Sequence, residues 1–192
     1  VLPQRPEIRD RRSPVITLLF LGLICKEKGI FDLLEVLSRN RRTFSNRVRL
    51  VIGGNGEVEN LRRVIRENGL EHMVSFRGWV TDHTKHQLMV SSDLFILPSY
   101  GEGMPVSILE ALSYGKAVIA TRVGGIPEIV KHEVNGLLIT PGDLTGILHS
   151  ICYYLNDPLK ILRHGQASRP LVRDFYPENV MKKVETLYQS LI

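Results

Sequence analysis

Six short apolar runs punctuate the chain, and a polar turn and a stretch of helical spacing follow nearly every one. The first, Ile16-Thr-Leu-Leu-Phe-Leu closing on Gly22, is nearly unbroken. That is the pattern of a strand covered on both faces rather than one with a wet side. Similar runs occupy 48–52, 74–78, 94–98, 117–121 and 137–140. Over 29–42, Ile30, Leu33, Leu34 and Leu37 recur at helical spacing, so a helix is predicted there. Further helices are predicted over 57–68, 82–91, 105–114, 127–131 and 144–155, and the tail beyond Pro158 is predicted to be helical without another strand. Buried strands alternating with helices predict a Rossmann-like α/β domain, a doubly wound parallel sheet of about six strands with C-terminal helices. Residues 1–14 hold Pro3, Pro6, Pro14, Arg5, Arg9, Arg11 and Arg12 and read as a linker. Residues 15–192 then form one domain.

Bulk composition narrows the function less than the pattern does. At 192 residues, 43% hydrophobic and 23% charged, the chain is of ordinary globular make-up and long enough for one good core. Aromatic residues make up only 7%, so nothing suggests stacking on nucleic-acid bases. A formal charge of +5 suits an anionic ligand or a membrane surface and selects neither. Cys25 and Cys152, the only two cysteines, have no metal-ligand spacing and build no disulfide framework. A reducing, cytoplasmic setting is therefore expected. The apolar runs are too short to span a bilayer. The start, Val1-Leu-Pro-Gln-Arg-Pro, lacks a signal peptide's apolar stretch and an initiating Met, which suggests a chain cut from a longer protein.

In a doubly wound sheet, ligands bind beyond the carboxyl ends of the strands, where helix starts present free N–H groups. The candidate chemistry therefore lies in the loops after each strand. After the first come Lys26, Lys28 and Gly29, either solvated charges or an ammonium beside backbone donors. After the second, Gly53-Gly54-Asn55-Gly56 permits close backbone approach to a ligand. It lacks the third glycine and the position of a dinucleotide fingerprint. After the third, Gly78-Trp79-Val80 holds the sole tryptophan, which reads first as partial core and second as a wall for a flat ring.

The richest loop follows the fourth strand and runs from Pro98 through Glu102, Gly103 and Met104 to Pro105, Val106, Ser107 and Glu110. Pro105 suits the first helical position. The amides of Val106 and Ser107 would then open the helix where its dipole favours a phosphate. Glu102 and Glu110 are acceptors for paired sugar hydroxyls, or a helix-start acid and a helix-surface acid. After the fifth strand, Gly124-Gly125-Ile126-Pro127 is another glycine-to-helix turn. Several such loops along one edge predict a long cleft for an extended anionic ligand.

Together these segments resemble the retaining glycosyltransferases of family 4, which have the two-domain GT-B fold. Glu102-Gly-Met-Pro-Val-Ser-Ile-Leu-Glu110 resembles their E-x7-E motif. The resemblance runs from about Val15 to Tyr188, through Gly22…Lys28-Gly29, Gly53-Gly54-Asn55-Gly56, Val74-Ser-Phe-Arg-Gly78, Asp93-Leu-Phe-Ile-Leu-Pro-Ser99, Val123-Gly-Gly-Ile-Pro-Glu128 and Asn135-Gly136. It implies the C-terminal, donor-binding half, with the N-terminal acceptor domain absent and the tail after Pro158 packing towards that half.

The resemblance implies roles as well. Lys28, beside Gly22, would meet the donor diphosphate, and the amides of Val106 and Ser107 would bind its distal phosphate. Glu102, Gly103, Met104 and Pro105 would border the sugar, Glu110 the ribose, and the loops Gly54-Asn55-Gly56 and Gly78-Trp79-Val80 the base. Glu102 and Lys28 would be the catalytic pair. The donor would be a UDP- or GDP-sugar and the acceptor a glycan, lipid-linked sugar or small molecule. No essential metal or cofactor is implied, nor nucleic acid. Polysaccharide or glycolipid synthesis is the implied setting, in the cytoplasm or peripherally at the inner membrane. Two departures stand out: Leu23 where the family commonly has arginine, and Pro105 where many members have glycine. Arg77 and Arg122 are candidate substitutes for the arginine. Competing readings are a non-catalytic interaction module on the same fold and a sugar-nucleotide epimerase.

Overall fold

The computed structural model describes residues 15–190, so the linker expected over 1–14 lies outside the described residues. Its centre is a six-stranded sheet in the order β3-β2-β1-β4-β5-β6. The strands are β1 (Ile16–Leu21), β2 (Val48–Gly53), β3 (Val74–Phe76), β4 (Leu94–Leu97), β5 (Ala117–Thr121) and β6 (Gly136–Ile139). Every neighbouring pair is parallel. The apolar runs explain this placement. Leu18, Leu19 and Phe20 of β1, Leu94, Phe95 and Ile96 of β4 and all four residues from Ala117 to Ala120 are fully buried. Both faces of these central strands are covered by helices, and each large apolar side chain so buried contributes roughly 1.5–3 kcal/mol.

Helices α1 (Ile30–Arg39), α3 (Val58–Glu67), α4 (Asp82–Ser91), α5 (Val106–Ser113) and α7 (Leu144–Asn156) occupy the predicted stretches, with short α2 (Arg41–Phe44) and α6 (Ile126–Ile129). The helix predicted over 29–42 is broken at Asn40. Its backbone leaves the helical region at φ −110, ψ 20, and its side-chain amide donates to the Val36 carbonyl at 2.9 Å. That side chain closes α1 by satisfying one of its orphan carbonyls. Beyond Pro158 the chain forms α8 (Leu159–Val172) and α9 (Pro177–Gln189) and adds no strand among the described residues. Side chains of α9 from Met181 to Gln189 are exposed.

Because all strands run the same way, their carboxyl ends share one edge of the sheet. Chain order reverses between β1 and β4, whose connections lead to opposite sides. The crevice above such a reversal is where this class of sheet binds its ligands. The loops after β1 and after β4 meet there.

Candidate functional site

Glycine geometry brings those two loops into contact. Lys26–Lys28 form one 3-10 turn ended by Gly29 in the left-handed conformation, φ 68. A Cβ at Gly29 would lie 2.0 Å from the Pro98 carbonyl oxygen, so only glycine lets the turn sit against the β4 loop. The amide of Tyr100 donates to the Glu27 carbonyl at 2.8 Å and locks the contact. Lys28 is thereby delivered to Glu102, Nζ to Oε1 at 2.7 Å. Ser99 Oγ donates to the same carboxylate oxygen, also at 2.7 Å. Ser99 is held in turn by Thr121, whose hydroxyl donates to the Ser99 carbonyl at 2.6 Å. The Glu102 side chain is 8% exposed and that of Lys28 27%. This is a half-buried, hydrogen-bonded ion pair, stronger than a surface pair because water competes less for it.

Glu102 opens the loop that leads into α5. That loop is clamped from the β5 side, where Gly125 donates to the Gly103 carbonyl at 2.7 Å. Gly124 has φ +50, and a Cβ there would lie 1.7 Å from the Glu102 carbonyl oxygen. Met104 packs over Gly125. Pro105 is not the first helical residue, as the sequence predicts, but the N-cap, in an extended conformation at φ −73, ψ 113. Its carbonyl accepts from Ile108 at 3.1 Å and Leu109 at 3.2 Å. The amides of Val106 and Ser107 therefore precede the helical ladder, as expected, at the positive end of the dipole. Val106 is 66% exposed, so core side chains do not wall off this helix start.

The remaining loops form one laced rim. Gly54 donates to the Gly78 carbonyl at 2.8 Å, Ile24 to the Asn55 carbonyl at 2.6 Å and Glu57 to the Ile24 carbonyl at 2.7 Å. A Cβ on Gly54 would lie 1.9 Å from the Gly22 carbonyl oxygen. Gly22, Gly54, Gly56 and Gly78 are thus structural neighbours as well as candidate ligand-facing backbone. Val80 packs over Gly53. Trp79 is 70% exposed, which corrects its first reading as partial core. The indole belongs to the rim because Val80, not Trp79, turns inward.

Glu110 sits mid-helix on α5 and is ion-paired to Lys85 of α4. Beside this pair, the Tyr114 hydroxyl meets His86 Nδ1 at 2.8 Å. Burial and the Glu110 carboxylate push the Tyr114 phenol up. Lys85, His86 and Ser99 are site residues that sequence reasoning missed. Lys85 and Glu110 are 25 positions apart, on different helices, and no spacing rule joins them. Of the proposed arginine substitutes, Arg77 is exposed just past β3. Arg122 lines a separate cavity beside β6 with His132, Asp143 and Tyr153. Leu23 is exposed on the rim. Among the described residues no group of three or more His, Cys, Asp or Glu side chains is placed to hold a metal ion.

Sheet order, helix flanks and loop edge define a Rossmann-like domain of the kind found in GT-B glycosyltransferases. Residues 4–169 match the family model of glycosyl transferases group 1, and the chain belongs to that family. It is 29% identical to the uncharacterized glycosyltransferase MJ1607 of Methanocaldococcus jannaschii over 90% of this chain and 44% of that protein. It is 28% identical to the UDP-Gal:alpha-D-GlcNAc-diphosphoundecaprenol alpha-1,3-galactosyltransferase of Escherichia coli, over 74% of this chain and 37% of that enzyme. The crystal structure of Anabaena HepE in complex with UDP-glucose superposes with a TM-score of 0.80 at 27% identity, over 91% of this chain and 49% of that one. The chain thus spans less than half the length of these relatives.

Proposed function

We propose that this chain is the donor-binding half of a retaining glycosyltransferase of family 4. It would bind a nucleotide-diphosphate-sugar, and an acceptor domain outside these residues would complete the enzyme. The observation that carries the reading is the convergence of the Lys28–Glu102 pair and the open start of α5 at the sheet's switch point. A diphosphate laid there meets an ammonium and two helix-start amides, complementary to its charge. UDP is the donor nucleotide this reading favours, because the similar Escherichia coli galactosyltransferase is named for UDP-Gal and the similar HepE structure is a complex with UDP-glucose.

In the proposed reaction an acceptor hydroxyl oxygen bonds to the anomeric carbon, and the bond from that carbon to the diphosphate oxygen breaks. The hydroxyl proton passes to the departing diphosphate on the same face, so configuration is retained. Charge builds on the leaving diphosphate, where Lys28 and the amides of Val106 and Ser107 would stabilise it. Such preorganised stabilisation is worth on the order of 100-fold in rate per donor removed. Glu102, fixed through Oε1 by Lys28 and Ser99, would border the sugar and Glu110 the ribose. The Gly54–Gly56 and Gly78–Val80 loops would flank the base. The reaction needs no divalent metal in this proposal, and no other cofactor. No described helix is long and apolar enough to cross a membrane. We place the full-length protein in the cytoplasm or peripherally at the inner membrane, in polysaccharide or glycolipid synthesis.

Calorimetric titration of this chain with UDP and GDP tests the reading. Weak binding of one of them, without sugar transfer by the chain alone, is the expected result. Silence towards both at millimolar concentration would overturn it.

A further inference from the structure

The contact between α4 and α5 carries an assignment that rests on the donor-site reading and deepens it. Lys85 lies in the first turn of α4, and its backbone amide donates to the Thr81 carbonyl at 3.3 Å. Its place is therefore set by the same segment that presents Trp79 and Val80. From there the ammonium reaches Glu110 Oε1. One position on, His86 meets Tyr114, with ring centroids 5.5 Å apart. Tyr114 follows Glu110 by one helical turn, so two adjacent contacts clasp α4 to α5.

A glutamate in mid-helix has several free torsions and, unrestrained, spreads its carboxylate over many solvent-facing rotamers. The clasp removes that freedom. It commits one carboxylate oxygen to Lys85 and leaves the other open to a ligand, since the side chain stays 32% exposed. A pair of hydroxyls on adjacent carbons needs an acceptor held in one orientation, since a mobile one loses in ordering entropy what it gains in hydrogen bonding.

We infer that Lys85 is a positioning residue for the ribose hydroxyls of the donor nucleotide, acting through Glu110. The clasp also fixes the distance between the base-side loop, 78–81, and the phosphate-side helix start. An ion pair of this exposure adds little to stability by itself, so Lys85→Met leaves the melting temperature unchanged.

The test is calorimetric titration of the full-length protein with UDP and with 2′,3′-dideoxy-UDP, which lacks both hydroxyls (GDP and its dideoxy form if guanine is the base bound). Lys85→Met is expected to weaken UDP about 10-fold, the scale of a charge-assisted hydrogen bond, and to leave the dideoxy ligand within about twofold. Lys85→Arg recovers most of the loss. Glu110→Gln shows the same ligand-selective loss, and the double variant is no weaker than Glu110→Gln alone, as expected for residues acting as one unit. Equal weakening of both ligands by Lys85→Met would place Lys85 on the phosphates or the base and overturn the assignment. So would no weakening of either. If Glu110→Gln weakens UDP while Lys85→Met does not, only the role of Lys85 falls. If Glu110→Gln leaves UDP binding intact, the ribose role of Glu110 falls with it.

Discussion

Lys28 and Glu102 are paired to each other, and this sets what each substitution does. Lys28→Met removes the ammonium but keeps the side-chain length. We expect sugar transfer by the full-length enzyme to fall by about 100-fold or more, and the melting temperature to fall as well, because the Glu102 carboxylate, 8% exposed, loses its counter-charge. His164 governs a different property. It is 5% exposed on α8, and its Nδ1 lies 2.8 Å from the Tyr154 hydroxyl. Burial holds its imidazole below the ordinary range, the nearby Lys160 and His132 lower it further, and Glu133 opposes them. The unfolded chain therefore binds this proton more readily than the folded one. The stability contribution is complete above the unfolded value, about 6.5, and is lost as pH falls from there towards the folded value. Melting temperature should drop as pH is lowered below about 6.5, and His164→Gln should flatten that dependence. At this scale the sequence is legible only in part. Lys28, Glu102 and the Val106 and Ser107 amides are found by their order beside glycines and a helix start. Lys85 is not, because it meets Glu110 across two helices, 25 positions apart, and leaves no periodicity behind. Trp79 misleads for a related reason: hydrophobicity alone does not say which of two adjacent apolar residues, Trp79 or Val80, faces in.

Helix α5 is the element on which the donor reading turns. Its start offers a test that separates an amide from its side chain. Val106 stands at the first helical position after Pro105, whose extended conformation is the one a following proline demands. Proline is also at home at that helical position. Val106→Pro should thus remove one amide donor and leave the helix in place, since the exposed valine packs on little. Nucleotide diphosphate binding should weaken about 10-fold while circular dichroism and melting stay unchanged; unaltered binding would mean that this amide is not a ligand contact. Gly124 controls the preceding loop. Gly124→Ala combines a left-handed backbone with a clash against the Glu102 carbonyl and should cost about 1–3 kcal/mol in folding. It should also depress transfer, because Glu102 is displaced. Apolar runs mark element boundaries where strands are buried on both faces, as in β1 and β5. They do not mark them where a side chain ends the element, as Asn40 does for α1.

Across the whole molecule, the sheet order separates tasks. The apolar interior holds the strands, and the carboxyl edge holds everything assigned to the ligand. Six strands and their parallel course could be read from apolar runs, but the order β3-β2-β1-β4-β5-β6 could not, because each run is compatible with either neighbour. A saturating nucleotide diphosphate should raise the melting temperature of this chain, as any ligand selective for the folded state does. That shift should shrink in Lys28→Met. The lacing of the rim also limits how the protein can be re-engineered. Gly54 abuts the Gly22 carbonyl and Gly124 abuts the Glu102 carbonyl, so a library that randomises these two yields mostly misfolded clones. Outward-facing Leu23, Asn55 and Trp79 impose no such tax, and a search for altered sugar-nucleotide preference should begin with those three.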